Sequence, residues 1–257
     1  MTGSGSDRGP YAVDREAVGL RALVEETGAP VTTGRTPMTA LVPLASGRTA
    51  DVYALDGDRV LRRYRAGGDV RGEAEVMRHL HTAGYPVPRV HHADGRDLVL
   101  DRVPGPTLVD AFVAGQIGLR AAARLLADLH ARLHALPALR STDPALRVLH
   151  LDLHPQNVLL APAGPVVIDW TNAAEGPPAL DRAITALILA EVAVDRSLPL
   201  STAAGELLSA YVAEAGSLGS VAGATARRAG LGPLDAARLP EAAALVEAAV
   251  AASGGGR

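Results

Sequence analysis

The sequence contains no cysteine and no lysine. Without cysteine, the 257 residues can form neither disulfide bonds nor thiolate metal sites, and a thiol nucleophile is excluded. All 25 basic residues are arginine, so any role that lysine usually fills must be filled by arginine or be absent. Aromatic residues make up only 3% of the chain, so an aromatic cage for a quaternary ammonium group is not expected.

Long apolar runs and a strong excess of positive charge are also missing. No run approaches the ~18 residues that a membrane-spanning helix requires. Residues 1–10 are rich in Gly and Ser without an apolar segment, which indicates a tail rather than a secretory signal. The net charge of −3 argues against general nucleic-acid binding. We therefore expect a cytoplasmic protein that binds neither nucleic acid nor membrane, and the oligomeric state is left open.

Strand-like runs dominate the first part of the chain after a weak amphipathic helix at residues 12–27. Five strands are predicted, at residues 39–45, 50–55, 59–65, 89–93 and 98–103. Between the third and fourth strands, apolar residues recur at helical spacing over residues 69–83. The hydrophobic content of 48% is sufficient for one large domain or two lobes.

The segment Pro104-Gly105-Pro106 marks the best domain boundary, because strands give way to helices there. Leucines from residue 119 to residue 136 form one long apolar helix stripe, and the chain is again mostly helical after Pro178. The predicted fold is α+β and two-lobed. We expect a tail and helix at 1–37, a five-stranded antiparallel lobe with one helix at 38–103, and a mainly helical lobe at 104–257, with the ligand site between the lobes.

One segment combines three proton- or metal-binding side chains at fixed intervals. It reads HLDLHPQN over residues 150–157 and is followed by PVVIDW over residues 165–170. Asn157 lies five residues after Asp152, and Asp169 lies twelve residues further on. A phosphoryl-transfer site needs one carboxylate for the acceptor hydroxyl, and an amide oxygen and a second carboxylate for the metal. Each residue alone fits an ordinary turn, but the three intervals together favour phosphoryl transfer.

The histidines of this segment allow a second interpretation. His150, Asp152 and His154 alternate along an extended segment and could, with Asp169, form the transition-metal site of a hydrolase. We expect His150 instead to attach the loop to a neighbouring element by hydrogen bonds. His130 is predicted to be a satisfied core residue of the long helix, and the five histidines outside this loop and that position are predicted to be exposed.

The residues HLDLHPQNVLL at 150–160 and VIDW at 167–170 resemble the catalytic loop and metal-binding Asp of aminoglycoside phosphotransferase-like kinases, which have a protein-kinase-like fold. SGRTADVY at 46–53 is similar to the loop that covers the phosphates in this family. VLR at 60–62 resembles the third strand, and GEAE at 72–75 the helix whose Glu pairs with the basic residue of that strand. YPVP at 85–88 and the strand at 98–103 resemble the segments that lead to the hinge, so the similarity covers roughly residues 40–190.

The resemblance implies ATP, or alternatively GTP, and Mg²⁺ as cofactors. It implies Asp152 as the catalytic base, Asn157 and Asp169 as metal ligands, and Arg62 with Glu73 as the pair that positions the phosphates. The other nucleotide contacts lie in the phosphate loop, the third strand and the hinge: Ser46, Gly47, Arg48, Thr49, Val60, Asp101 and Val103. Strand alternation agrees with this, since Val60 and Arg62 share one face.

Two residues depart from the family pattern. Arg62 stands where the family usually has lysine, and the phosphate loop contains the single glycine Gly47 where related kinases often have several. Arginine is planar and bidentate, so the exchange is not conservative. These departures motivate an alternative, a nucleotide-binding protein with weakened catalysis.

The acceptor is predicted only as a small hydroxylated molecule, such as an aminoglycoside, a sugar or an amino alcohol. Polycationic aminoglycosides require clustered carboxylates, but the nine acidic residues after Trp170 are scattered and are accompanied by six arginines. One of them, Asp181, is expected to open a helix at residues 179–191. The function that the sequence favours is transfer of the γ-phosphate of ATP to a hydroxyl group.

Overall fold

The computed structural model describes residues 41–47, 49–229 and 238–254 of the chain. The predicted helix at residues 12–27, the start of the first predicted strand and Arg48 lie outside the described residues.

Five strands form one antiparallel sheet. They are β1 (Val42–Ser46), β2 (Ala50–Ala54), β3 (Arg59–Tyr64), β4 (Val90–Asp94) and β5 (Asp97–Asp101), in the spatial order β1-β2-β3-β5-β4. Val60 pairs with Leu100 and Arg62 with Leu98, so these four side chains share one face of the sheet. Val60, Leu98 and Leu100 are buried, which makes this the core-facing side.

Helix α1 (Arg71–Thr82) supplies the apolar surface that covers this face. Its buried residues Ala74, Met77 and Leu80 recur at intervals of three, as the sequence pattern predicts. Gly84 lies two residues after the end of the helix, and its φ of 78° is a left-handed conformation that glycine adopts without strain. The N–H of Tyr85 then donates to the carbonyl of Leu80 at 2.9 Å, which closes the last turn.

Six further helices follow within the described residues. They are α2 (Leu108–Val113), α3 (Leu119–His134), α4 (Pro178–Val194), α5 (Ser201–Ala215), α6 (Val221–Ala229) and α7 (Leu239–Gly254). Helix α4 has buried residues on all sides and packs against α5, α6 and α7. It is therefore the central helix of this lobe.

Two pairs of short antiparallel strands flank the segment that carries the predicted site. Strand β6 (Arg147–Leu149) pairs with β9 (Ala174–Gly176), and β7 (Val158–Ala161) pairs with β8 (Gly164–Val167). The loop at 150–157 connects β6 to β7, and Asp169 follows β8. Each of the two segments therefore follows a short strand that is paired with another strand in a small sheet.

The structure confirms the predicted α+β architecture of a five-stranded antiparallel sheet with one helix, followed by a mainly helical region. Element ends differ by a few residues: the fifth strand ends at Asp101 rather than at residue 103, and α4 runs from Pro178 to Val194 rather than over residues 179–191. Among the described residues, no helix has both the length and the apolarity needed to cross a membrane.

Gly105 lies at the predicted boundary and allows close approach of two backbone segments. Its φ is 128°, and a Cβ atom there would collide with the carbonyl group of Leu160. We expect Gly105→Ala to destabilise the protein by more than about 1 kcal/mol, because strain and collision act together. Urea unfolding measures this. Gly115→Ala, which has a positive φ of 71° but no atom within 4 Å of the added Cβ, is the control and should cost less.

Candidate active site

Arg62 on β3 forms two ion pairs that join three separate segments of the chain. Its Nη1 lies 2.8 Å from Oε1 of Glu73 on α1, and its Nη2 lies 2.7 Å from Oδ1 of Asp169. The Arg62 and Glu73 side chains are only 11% and 6% exposed, whereas Asp169 is 38% exposed. One guanidinium therefore connects the strand, the helix and the predicted metal-binding carboxylate.

The charges of Arg62 and Asp169 stabilise one another against the cost of burial, whereas for Glu73 burial outweighs the attraction of Arg62 and raises the pKa. Burial alone would lower the pKa of Arg62, but the carboxylates of Asp169 and Glu73 raise it above its ordinary value. Burial would likewise raise the pKa of Asp169, yet Arg62 and the Thr171 hydroxyl lower it to about 2. Asp169 is therefore ionised at neutral pH, which is the form that binds a metal ion.

Two hydroxyl groups that the sequence analysis did not identify complete the cluster. The hydroxyl of Tyr64 donates to Oε2 of Glu73 at 2.6 Å and lies 2.6 Å from Oγ1 of Thr171. Oγ1 of Thr171 in turn donates to Oδ1 of Asp169 at 2.7 Å. Tyr64 lies two residues after Arg62 on the same strand face, and Thr171 two residues after Asp169, so strand alternation was the available signal for Tyr64.

Glu75 points away from this cluster. It pairs with Arg140, and the two side chains are 54% and 57% exposed. Glu73 and Glu75 thus present the same chemical group on the same helix in opposite surroundings.

The loop between β6 and β7 is held in a strained conformation. Within the described residues, Leu151 (φ 60°) and Asp169 (φ 65°) are the non-glycine residues with positive φ. Such conformations cost about 1–3 kcal/mol each and persist where surrounding contacts enforce them. Both residues belong to the two segments that carry the predicted site.

Asp181 enforces this loop conformation from α4. Its Oδ1 accepts the N–H of Leu151 at 2.7 Å, and its Oδ2 accepts the N–H of His150 at 3.0 Å. One turn later, Thr185 donates to the carbonyl of Leu153 at 2.6 Å. The structural role predicted for Asp181 is present, but the prediction that it opens the helix was wrong, since Pro177 is the N-cap.

His150 connects the loop to the segment before Asp169, as expected. Its Nε2 donates to the carbonyl of Ile168 at 3.0 Å, and its Nδ1 accepts the N–H of Asp152 at 3.2 Å. Both ring nitrogens of this buried side chain are therefore used in hydrogen bonds. His150 is thus not available as a metal ligand.

Asn157 is oriented by its amide nitrogen. Nδ2 donates to the carbonyl of Asp152 at 2.9 Å and lies 3.2 Å from Nε2 of His154. The amide oxygen, which is the atom that a hard cation binds, takes part in neither contact. Burial lowers the pKa of His154, so its imidazole is neutral beside this amide at neutral pH.

The carboxylate of Asp152 lies beside an arginine that the sequence analysis missed. Nη1 of Arg228 on α6 is 3.3 Å from Oδ1 of Asp152. The same guanidinium pairs with Glu191 on α4 at 3.0 Å, and the Arg228 and Glu191 side chains are 5% and 2% exposed. Arg228 lies 76 residues from Asp152 in an ordinary alanine- and arginine-rich helix, so no local motif indicates it.

The predicted phosphate loop lies in the β1–β2 turn. The N–H of Gly47 donates to the carbonyl of Ala50 at 2.8 Å, and Thr49 is exposed. The hydroxyl of Ser46 donates to Oδ1 of Asp51 at 2.7 Å. Asp51 also pairs with Arg65 at 2.6 Å, and this ion pair and the Ser46 hydrogen bond lower the Asp51 pKa.

The other predicted nucleotide contacts lie on different sides of the sheet. Val60 shares the face of Arg62. Asp101 lies on the opposite face, where Oδ1 contacts Nε2 of His91 at 2.6 Å, so its side chain is not brought to Arg62. Val103 is half-buried in the connection after β5.

A buried cluster of two histidines and Asp181 lies behind the loop. Nε2 of His134 is 2.9 Å from Oδ2 of Asp181, and the His134 side chain is only 5% exposed, so the prediction that it is exposed was wrong. Among the described residues, His130, His134 and Asp181 form the group of His and acidic ligand atoms that converge within 4.8 Å. The hydrolase set of His150, Asp152, His154 and Asp169 does not converge in this way.

His130 should make stability depend on pH. Its Nδ1 is 2.9 Å from the Tyr211 hydroxyl, and burial lowers its pKa to about 3. The pKa of His130 in the folded protein lies below the unfolded value of about 6.5, so the unfolded chain binds the proton more readily in acid. The stability that neutral His130 contributes is therefore fully present above pH ~6.5 and is lost as the pH falls toward 3.

The expected loss between pH 6.5 and 4.5 is about 2–3 kcal/mol in urea unfolding. His130→Asn keeps a polar partner for Tyr211 but removes the titrating imidazole. Over the same pH range its free energy of unfolding should therefore fall by about 2–3 kcal/mol less than that of the wild type. Equal pH slopes in the two proteins would contradict this assignment.

Comparison with known proteins places this geometry in a family. A model of the phosphotransferase enzyme family matches residues 40–145 and 116–231. A comparison with curated protein sequences finds no significant match.

Solved structures with the same fold have low sequence identity to this chain. Aminoglycoside phosphotransferase APH(2'')-Ib with ADP is 14% identical, with a TM-score of 0.52 over 83% of this chain and 93% of that one. Amicoumacin kinase hAmiN in complex with AMP-PNP, Ca²⁺ and Ami is 14% identical, with a TM-score of 0.50 over 84% and 80%. A choline/ethanolamine kinase family protein from Mesorhizobium loti is 19% identical, with a TM-score of 0.50 over 87% and 89%.

The family match covers about three quarters of the chain, and the architecture agrees with it. Both confirm the predicted kinase-like fold and the predicted enzyme class, a small-molecule kinase. The chain therefore belongs to the phosphotransferase enzyme family.

Proposed function

We propose that this phosphotransferase moves the γ-phosphate of ATP, bound with Mg²⁺, to a hydroxyl group of a small molecule. The observation that carries the proposal is the 2.7 Å ion pair between Arg62 of the sheet and Asp169 beside the loop of Asp152. It brings the proposed phosphate-positioning residue and a proposed metal ligand together across the cleft. Residues 38–103 would bind the nucleotide, and residues 104–257 would carry the acceptor site.

The donor set fits a magnesium ion. Asp169 and the amide oxygen of Asn157 are oxygen ligands, which a hard cation prefers, and the amide nitrogen of Asn157 is already used by the Asp152 carbonyl. Asp169 is ionised and is 38% exposed, so a cation can approach it. Mg²⁺ bound there would neutralise charge on the transferring phosphates.

The protein groups have separate roles in this proposal. Asp152 orients the acceptor hydroxyl and accepts its proton, while its main chain is fixed by His150 and Asn157. Arg62 binds phosphate oxygens, and Glu73 keeps the guanidinium in place. The β1–β2 turn covers the phosphates with backbone N–H groups, and Val60 contacts the base.

The structures with the same fold support a nucleotide donor, because one contains ADP and another contains AMP-PNP with a divalent cation. GTP remains the alternative donor. The acceptors named for these proteins are chemically diverse, so they support a small hydroxylated acceptor and do not specify one.

A second candidate function is nucleotide binding with weakened catalysis. It is favoured by the use of Oδ1 of Asp169, a proposed metal-binding atom, in the ion pair with Arg62 and the hydrogen bond from Thr171. An ion pair between Arg62 and Asp169 that persists when nucleotide binds would compete with the metal ion for Oδ1 of Asp169. Turnover of Mg·ATP with any hydroxyl acceptor separates the two functions.

Asp169→Asn should abolish Mg·ATP-dependent phosphate transfer without unfolding the protein, because it removes a ligand charge at almost constant volume. We expect kcat to fall by at least about 100-fold, comparable to the loss of a group that stabilises transition-state charge. Mass spectrometry of a panel of hydroxylated compounds, aminoglycosides included, detects the product. Near-normal transfer by a folded variant would remove Asp169 from the site.

Replacement of Glu73 and of Glu75 forms a matched pair. Glu73→Gln removes the charge that holds Arg62 and should lower kcat/KM by about tenfold or more. Glu75→Gln makes the same chemical change on the exposed side of α1 and should change kcat/KM less than about twofold. Equal effects of the two substitutions on ATP turnover would show that the Arg62–Glu73 pair has no special role.

A further inference from the structure

Arg228 places a fixed positive charge beside the proposed catalytic carboxylate. Its Nη1 is 3.3 Å from Oδ1 of Asp152, while Nε lies 3.2 and 3.3 Å from the two carboxylate oxygens of Glu191 and Nη2 lies 3.0 Å from Oε2. A guanidinium held through several donors has little freedom to turn away. Glu191 thus fixes the cation that faces Asp152.

This arrangement reduces the negative charge on the acceptor side of the site. Glu191 and Asp152 would together present two negative charges, but Arg228 lies between them and leaves a single net negative charge. The Glu191 and Arg228 side chains are 2% and 5% exposed, so solvent screens the guanidinium little. Its effect on a bound acceptor is therefore strong.

The described carboxylates after Asp169 do not gather beside Asp152 to replace the lost negative charge. Each described acidic residue after Asp169 other than Glu191 either accepts from an arginine, a histidine or a backbone N–H, or is exposed on α5 or α7. The residues are Glu175, Asp181, Asp195, Glu206, Glu214, Glu241 and Glu247. Asp235 lies outside the described residues.

We propose that Arg228 determines the acceptor class of this enzyme: a hydroxyl compound that is neutral or anionic, with polycationic acceptors excluded. The inference rests on the proposed function, because it takes Asp152 as the residue that meets the acceptor hydroxyl. A compound with several ammonium groups would have to place them in the field of a fixed guanidinium, and the described residues offer no carboxylate cluster beside Asp152 to pair with. A neutral sugar or a hydroxy acid meets no such penalty.

Arg228 is a positioning residue in this account and also sets the charge of the acceptor site. It contacts Oδ1 of Asp152, and Oδ2 takes no part in this contact. Both effects depend on its charge, so lysine at this position should preserve the exclusion of polycations even though it loses the bidentate contact with Glu191.

The test is calorimetric binding of gentamicin, a polycationic polyhydroxylated probe, to folded variants in the presence of Mg²⁺ and AMP-PNP. Arg228→Gln leaves two unpaired carboxylates and should bind gentamicin about tenfold more tightly than the wild type, with the gain reduced at high salt. The exchange Glu191→Arg with Arg228→Glu keeps a buried ion pair and the net charge of the three side chains but replaces the cation beside Asp152 by a carboxylate, so it should gain affinity in the same direction by a smaller factor. This second variant covers the case in which Arg228→Gln does not fold.

Two controls keep the original charge of the site. Arg228→Lys retains the cation, and Glu191→Gln with Arg228→Gln removes one charge of each sign, so both should bind gentamicin as the wild type does. The proposal is overturned if the wild type binds gentamicin as tightly as Arg228→Gln, if the neutral double variant gains equally, or if no variant gains affinity. A separate titration of each variant with AMP-PNP tests the nucleotide site. If AMP-PNP does not bind but the gentamicin affinities follow the expected pattern, the result counts against the proposed function and not against the charge effect of Arg228.

Discussion

The guanidinium of Arg62 is the interaction on which the rest of the site depends. Its two ion pairs connect the five-stranded sheet, helix α1 and the segment after β8. Buried charges are stable only when they are paired, so removing either Arg62 or Glu73 would leave the other buried charge in an unfavourable environment. Arginine suits this position because its planar group can bind Glu73 and Asp169 at once, which the compact ammonium of lysine would do less well.

The loop at residues 150–157 depends on a second constraint, which comes from α4. Asp181 accepts two consecutive backbone N–H groups, and Leu151 keeps a positive φ between buried neighbours. Burial opposes the charge of Asp181, but His134, His130 and the loop N–H groups keep its pKa below its ordinary value. The central helix thus fixes the main chain of the loop that carries Asp152 and Asn157.

Much of this arrangement could be predicted from local patterns. Period-two alternation predicted the strands and the shared face of Val60 and Arg62, and helical spacing predicted α1. The intervals between Asp152, Asn157 and Asp169 indicated the site before any fold was known. The strand and helix predictions succeeded because strand and helix geometry fix which neighbouring residues share a face. The site at Asp152, Asn157 and Asp169 stays a prediction.

Other features could not be predicted because they depend on tertiary packing. Arg228 reaches Asp152 from α6, and neither the helix sequence nor its spacing shows which face meets the loop. His134 was expected to be exposed, since nothing near it in sequence reveals the carboxylate of Asp181 on α4. The contact of Asp101 with the nucleotide stays a prediction, although strand register places its side chain on the face of the sheet opposite Arg62.

The central claim is that Arg62, Asn157 and Asp169 together form a magnesium–nucleotide site. Calorimetric titration of the wild-type protein with AMP-PNP, in Mg²⁺ and then in a chelator, tests this most directly. The account predicts that affinity falls by about tenfold or more when Mg²⁺ is removed, because the nucleotide phosphates then face the carboxylate of Asp169 without a bridging cation. Equal affinity in the two conditions, or no binding in either, would contradict it.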